Sequence, residues 1–336
     1  MVKFSNRFLE DKVFKMFNIK DPRVILGPRV GEDSAIVKVD SGYLAIHTDP
    51  VTGSINLLGW LAVVVPSNDV ATRGIKPAWL LTTLIMPEGS GEDEVAAIMR
   101  QVKDASEEFE ITLIGGHTEA SDSVKRPIVV STALGIGERY IMTGGLRPGD
   151  VIVMTKYAAI EATAILASDF RDVVRGIIGG ALGRLADLYR ETSVIRDALI
   201  ASKYATSMHD PTEGGVIQGL IEVARASGLA LYVNAEAIPM MPETREVFKA
   251  LGLDPLKSLS SGSLIIGVDP RNLNDLLREL RDNGIEASVI GKAMLGRPGL
   301  ILYRGGSPEF YNADETIEDE VIKLWSRGVS GSLYQR

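Results

Sequence analysis

The chain has 336 residues, a formal net charge of −8, 45% hydrophobic and 24% charged residues, and no cysteine. That length predicts about two units of roughly 150 residues with a real core. The acidity argues against a nucleic-acid backbone or an anionic membrane as partner, although a nucleotide remains compatible with it. Without cysteine, disulfides, zinc–thiolate sites, iron–sulfur clusters and thiol nucleophiles are excluded, and a cytoplasmic location is expected.

In chain order, Phe8, Leu9, Val13 and Phe17 recur at near-helical spacing, which predicts an amphipathic N-terminal helix. Residues 21–31 are a Pro/Gly-rich lead-in. Strands are expected at 34–39 and 43–47, around the turn Asp40-Ser41-Gly42. Residues 56–73 read as an apolar helix stopped by Gly74, with a kink or break at Pro66. A strand at 79–86, a helix at 92–108 and a strand at 111–114 follow. Next comes LIGGHTEA, read as a strand ending in a Gly115-Gly116 turn. A strand at 128–135 closes the first unit. We set the boundary at the turn beginning at Thr143, giving units 1–142 and 143–336. The second unit mixes strands at 151–155, 229–233, 264–268 and 287–290 with helices at 158–167, 216–226 and 273–283. The Gly/Ser-rich segment from Ser326 to Arg336 reads as mobile.

The common phosphate, zinc and nucleophile-elbow signatures are missing. Instead, acids stand at the ends of elements, in Glu32-Asp33, His47-Thr48-Asp49, Asn68-Asp69, His117-Thr118-Glu119 and His209-Asp210-Pro211-Thr212-Glu213. All three histidines lie within two residues of such an acid. Carboxylates gathered from several strand ends are what Mg²⁺ requires: hard oxygen ligands with room left for phosphate. Taken singly, each acid is as well explained as a turn former or helix cap, and Asp210-Pro211-Thr212-Glu213 makes a good helix start.

Taken in order, GEDSAIV, HTDPV, PSNDVATRGIKPAWL, LIGGHTE, GIGERYIMTGGLRPGDVIVMT, HDPTEGGV and LSSGSLIIGV resemble the PurM/AIR synthase-like superfamily. That superfamily contains aminoimidazole ribonucleotide synthetase, selenophosphate synthetase, thiamine-monophosphate kinase and the hydrogenase-maturation protein HypE; HDPTEGGV looks most like HypE. The resemblance implies a two-domain α/β (α+β) fold whose N-terminal domains pair into a β-barrel across a homodimer. It implies ATP and Mg²⁺ as cofactors and phosphorylation of a carbonyl or amide-type oxygen. It places metal ligands at Asp33, Asp49 and Asp69, and nucleotide contacts at Thr48, Asn68, Arg139 and Thr212. Asp69 and Asp210 are the implied catalytic acids. Gly115 and Gly116 would make room for phosphate.

Two departures stand out. HypE carries its substrate on a terminal cysteine, which this chain lacks, so a HypE-like reaction would act on a substrate in trans. At His117, HypE and the kinase place an acid; the histidine is then a candidate catalytic group, with the metal contact passed to Glu119. A HypE-like enzyme, with a maturation protein as a further expected partner, is the leading expectation. A small-molecule kinase resembling thiamine-monophosphate kinase, or a non-catalytic nucleotide-binding scaffold, are the alternatives. Neither nucleic acid nor membrane is expected as a partner.

Overall fold

The computed structural model describes residues 6–326 except Asn18, Gly53 and Ile55. Two sheets organise it. The first has the order β1-β2-β3-β6-β4-β5, with β1 Val24–Leu26, β2 Ala35–Val39, β3 Gly42–Val51, β4 Trp79–Pro87, β5 Thr112–Ser121 and β6 Ile128–Gly137. Its neighbours are antiparallel except β4 and β5, which are joined through the helix Glu92–Glu108, as a parallel pair requires.

The second sheet has the order β13-β12-β9-β11-β7-β10-β8. Its strands are β7 Val151–Thr155, β8 Ala205–His209, β9 Ala230–Asn234, β10 Ile265–Val268, β11 Ala287–Met294, β12 Gly299–Arg304 and β13 Ser307–Asn312. The helix Leu58–Ala71 is buried along its whole length. A helix apolar all round belongs inside a core, which is why it carries almost no amphipathic signal. It packs on β3 and β6 and reaches the second unit's helix Ile195–Ala201. No helix among the described residues is long and apolar enough to cross a membrane.

Several local expectations are corrected. Pro66 lies inside the Leu58–Ala71 helix without breaking it; packing on every side offsets the one hydrogen bond that proline removes. The expected N-terminal helix is three short pieces, Asn6–Phe8, the π turn Leu9–Val13 and the 3₁₀ turn Phe14–Met16, and Phe17 stays exposed. His47, Thr48 and Asp49 do not follow a strand but lie within β3. Asp210 to Glu213 is not the first turn of a helix, because the helix Gly215–Ser227 starts later, after Gly214 at φ +78°. The C-terminal segment expected to be mobile lies almost wholly outside the described residues.

The largest correction concerns LIGGHTEA. Gly115 and Gly116 form no turn, since β5 runs straight through them with a register shift against Leu80 and Leu81. A Cβ on Gly116 would stand 2.0 Å from the Thr82 carbonyl oxygen of β4, and one on Gly115 would stand 3.2 Å from a Leu81 methyl. These glycines permit close strand approach at a bulge.

Candidate functional site

The site grows from one buried arginine. Arg73 is 0% exposed just beyond the Leu58–Ala71 helix. Its Nη1 donates to Glu32 Oε2 at 2.7 Å and its Nη2 to Asp33 Oδ2 at 2.8 Å. The Thr72 hydroxyl adds a bond to the same Asp33 oxygen at 2.9 Å. Backbone N–H groups of Thr143 and Gly144 donate to Glu32 at 3.0 and 3.1 Å, tying the turn between the sheets to the same pair. From the second sheet, His209 meets Asp33 Oδ1 through Nδ1 at 2.6 Å and Glu222 through Nε2 at 3.0 Å.

Around this clamp the acids converge. Asp33, Asp69 and Asp210 each present an oxygen, and the three oxygens lie within 4.8 Å of one another. Asp69 also stands in a second set with His47 and Asp49, under the same limit. Asp69 comes from the long helix, Asp49 from β3 and Asp210 from the residue after β8, so both sheets contribute. Both Asp210 oxygens are buried and have no hydrogen-bond partner among the described residues.

The electrostatics divide the acids into two kinds. Burial alone would raise Asp33, but the charges of His209 and Arg73 win and hold it below the usual carboxylate range. Burial opposes charge on His209 too, yet Asp33 and Glu222 hold it well above its ordinary value, as an imidazolium. Asp69 is raised well above its usual value by burial and by repulsion from Asp210, Asp33 and Asp49. Asp210 is raised by burial and by Asp33, only partly relieved by His209 and Arg73. Burial lowers His47, leaving its imidazole neutral. Six carboxyls (Glu32, Asp33, Asp49, Asp69, Asp210, Glu222) thus face two cations, Arg73 and His209. Buried carboxylates left without a counter-charge call for protons or a bound cation. An all-oxygen donor set, with the Asp210 oxygens unclaimed, fits Mg²⁺. Asp33 fits less well than Asp69 and Asp210, because hydrogen bonds already hold both of its oxygens.

The remaining sequence candidates lie elsewhere. Asn68 is fully buried, its amide donating to the Thr192 carbonyl at 2.9 Å and accepting from the Val194 N–H at 2.9 Å. It joins the two units and is 0% exposed. Thr48 alternates to the opposite face of β3 from His47 and Asp49, where its hydroxyl meets Thr132 at 2.8 Å. Register gives the same result for His117 and Glu119. Asp49 pairs with Ser131, Ser131 with Thr82 and Thr82 with Gly116, so that row shares a face and His117 and Glu119 point to the other. They also sit three strand spacings away, about 14 Å at ~4.8 Å per strand. There they are exposed, paired with each other at 3.1 Å. Within one chain Glu119 therefore stands apart from the acid cluster. Arg139 is exposed after β6. Thr212 donates to Glu213 at 3.1 Å and lines a small cavity with Asp49.

Sequence reasoning missed Arg73, Glu32, His209 and Glu222 as the clamp. Glu32 and His209 stood beside singled-out acids, and Arg73 lay unremarked within PSNDVATRGIKPAWL. A lone arginine at a helix end gives no local sign that its partners lie 41 and 40 residues upstream.

Residues 31–137 match the family model "AIR synthase related protein, N-terminal domain", and residues 147–300 match its C-terminal counterpart. A putative hydrogenase expression/formation protein of Methanocaldococcus jannaschii is 27% identical over 313 residues, 89% of this chain and 90% of that one. Carbamoyl dehydratase HypE of Rhizobium leguminosarum is 27% identical over 285 residues, 78% of this chain and 77% of its own. The selenide, water dikinase of Nitratidesulfovibrio vulgaris is 32% identical over 254 residues, 71% and 69% of the two chains.

Among solved structures, ThiL complexed with AMPPCP and TMP superposes with a TM-score of 0.73 at 20% identity, covering 93% of this chain and 98% of that one. A HypE–HypF complex gives 0.72 at 18%, covering 91% and 99%. HypE in complex with ATP gives 0.68 at 21%, covering 93% and 95%.

Proposed function

The chain belongs to the AIR synthase related family, and from that premise we propose that it is a HypE-like, ATP-dependent enzyme acting on a substrate in trans. The observation that carries the reading is the meeting of Asp33, Asp69 and Asp210, with both Asp210 oxygens buried and unpartnered. Asp69 and Asp210, with Asp49 beside them, would hold Mg²⁺. That ion supplies charge neutralisation to the phosphates of ATP. Arg73 keeps Glu32 and Asp33 paired, and so fixes the loop before β2 against the second sheet. His209, bonded on both ring nitrogens, anchors the backbone that presents the adjacent Asp210. The acceptor is a carbonyl or amide-type oxygen; with no cysteine in these 336 residues, it belongs to a separate molecule.

In this reading residues 1–142 form the nucleotide-binding and pairing unit and residues 143–336 the second unit, in a cytoplasmic protein with a maturation protein among its partners. A second copy covers the outer face of the first sheet, where Trp79, Leu81 and Ile136 are 38–40% exposed on neighbouring strands. Light scattering at micromolar concentration tests the dimer.

The decisive experiment is calorimetric titration of ATP with and without Mg²⁺ into wild type, Asp69→Asn and Asp210→Asn. Magnesium-dependent binding that both substitutions weaken is expected. Absence of binding by wild type, together with no ADP release in cell extract, overturns the proposal. ADP release specifically on addition of thiamine monophosphate would move the protein to the kinase branch.

A further inference from the structure

Asp69 belongs to two sets of candidate ligands, and only one of them is all oxygen. In the other, His47, Asp49 and Asp69 each present one ligand atom, and these atoms lie within 4.8 Å of one another. His47 and Asp49 stand two residues apart on β3, so strand alternation turns both to the face that carries the fully buried Ala45. The helix Leu58–Ala71 packs on β3 and β6 and brings Asp69 to them from its last turn.

The spacing is that of donors around an ion. His47 Nε2 stands 3.5 Å from Asp69 Oδ2, beyond the roughly 2.7–3.2 Å of an N–H···O hydrogen bond. His209, by contrast, closes on Asp33 at 2.6 Å and on Glu222 at 3.0 Å. Two donors held by one ion at about 2.1 Å are separated by about 3.0 Å in an octahedron and about 3.4 Å in a tetrahedron. The His47 ring is also hydrogen-bonded to the Asp33 backbone. A metal-ligating imidazole is commonly oriented by such a bond.

Charge and access point the same way. The six carboxylates of the cluster, set against Arg73 and an imidazolium at His209, leave four negative charges, which matches two divalent ions and exceeds one. Asp210, 2% exposed with both oxygens unpartnered among the described residues, adjoins the His47 set through Asp69. The side chains of His47 and Asp69 are 25% and 12% exposed, so an ion can enter from solvent. A cavity of about 40 Å³ borders Asp49. It has room for about three waters at roughly 10–15 Å³ each, enough to complete a six-coordinate shell.

We propose that His47, Asp49 and Asp69 form a second cation position beside the one assigned to Mg²⁺, and that the His47 nitrogen makes it select a first-row transition ion over Mg²⁺. Magnesium takes oxygen donors, whereas imidazole favours the transition ions. Manganese stands lowest in their affinity series and closest to magnesium in its preference for oxygen, so Mn²⁺ is the strictest probe. The inference rests on the ATP-dependent reading only for the neighbouring Mg²⁺; ligation by His47 requires no nucleotide.

The test uses the whole chain at pH 7 with substoichiometric Mn²⁺, excess Mg²⁺ and no nucleotide, read by electron-spin-echo envelope modulation. Wild type is expected to show the nitrogen modulation of a bound imidazole. That signal should persist in His117→Ala and vanish in His47→Gln. Calorimetry should find Mn²⁺ binding about tenfold weaker or more in His47→Gln, a loss that follows even the removal of a ligand's outer hydrogen-bond partner. Mg²⁺ binding should change by less than about threefold, because glutamine still offers an oxygen. Mn²⁺ left free by wild type, bound Mn²⁺ without nitrogen modulation, modulation that survives His47→Gln, or equal weakening of both ions would each overturn the proposal. The wild-type spectrum depends on no variant folding. Because nucleotide is absent, the result stands apart from the ATP titration, and either can fail alone.

Discussion

Replacing Asp210 by asparagine removes one titratable carboxyl from the converging trio and nearly keeps its volume. The folded-state value of Asp210 is raised, so between its unfolded value near 3.8 and its folded value the native chain binds more protons than the unfolded one. Stability must then fall as pH rises above about 4, by at most about 1.4 kcal/mol per pH unit from this one group. The asparagine side chain does not titrate and carries no such slope. In chelator, the variant should therefore match wild type near pH 4 and become more stable than wild type as pH increases to 7.

Magnesium reverses the order. An ion at a hundredfold its dissociation constant stabilises wild type by about 2.7 kcal/mol. A chain of this length has an unfolding entropy near 0.7 kcal/mol per kelvin, so the expected rise in Tm is about 4 °C. Asp210→Asn should shift by less than about 1 °C under the same conditions. The assay is differential scanning calorimetry from pH 4.5 to 7.5, with EDTA and with MgCl₂. An equal magnesium shift in both proteins, or a metal-free pH slope no steeper in wild type than in the variant, would refute the reasoning.

Three other substitutions test separate links. Arg73→Met leaves Glu32 and Asp33 buried without their shared cation and should cost about 3–5 kcal/mol, read by urea denaturation; a loss below 1 kcal/mol would mean the clamp is dispensable. Gly116→Ala drives a Cβ into the Thr82 carbonyl and should cost about 1–3 kcal/mol, with faster amide exchange in β4 and β5. A variant as stable as wild type would restore the turn reading of LIGGHTEA. In dilute protein kept below any dimerisation, His117→Ala touches only an exposed pair and should change stability by less than about 0.5 kcal/mol, with metal affinity unaltered. A tenfold weaker Mg²⁺ affinity would show that β5 reaches an acid cluster after all.

Local pattern carried much of the fold. The helix Glu92–Glu108 and the strand Val151–Thr155 coincide with expectation to the residue, because an acidic first turn with amphipathic spacing, and a β-branched run after Pro148-Gly149-Asp150, are unambiguous. The stretch 171–201 went unread and holds short α and 3₁₀ segments. The strands β12 and β13 also went unread. Gly115-Gly116 misled because glycine marks a sharp turn and a close strand contact equally well.

At the site, acid identity was legible but face was not. Strand alternation puts Asp49 and His117 on opposite sides of one sheet, which follows only once the register across β3, β6, β4 and β5 is known. Likewise Asp33 looked like any other ligand until Arg73 and His209 were seen to occupy it, the latter 176 residues away along the chain.

The drawing of Asp69 from one sheet's helix and Asp210 from the other sheet's edge has a mechanical corollary. Magnesium tolerates ligand oxygens only near 2.0–2.1 Å. A slide of one unit past the other by little more than a bond length would pull Asp210 out of range. On the proposed magnesium site, metal affinity would serve as a strain gauge for how the halves are seated, and a molecule that wedged or clamped the seam would tune the cation's grip without touching it.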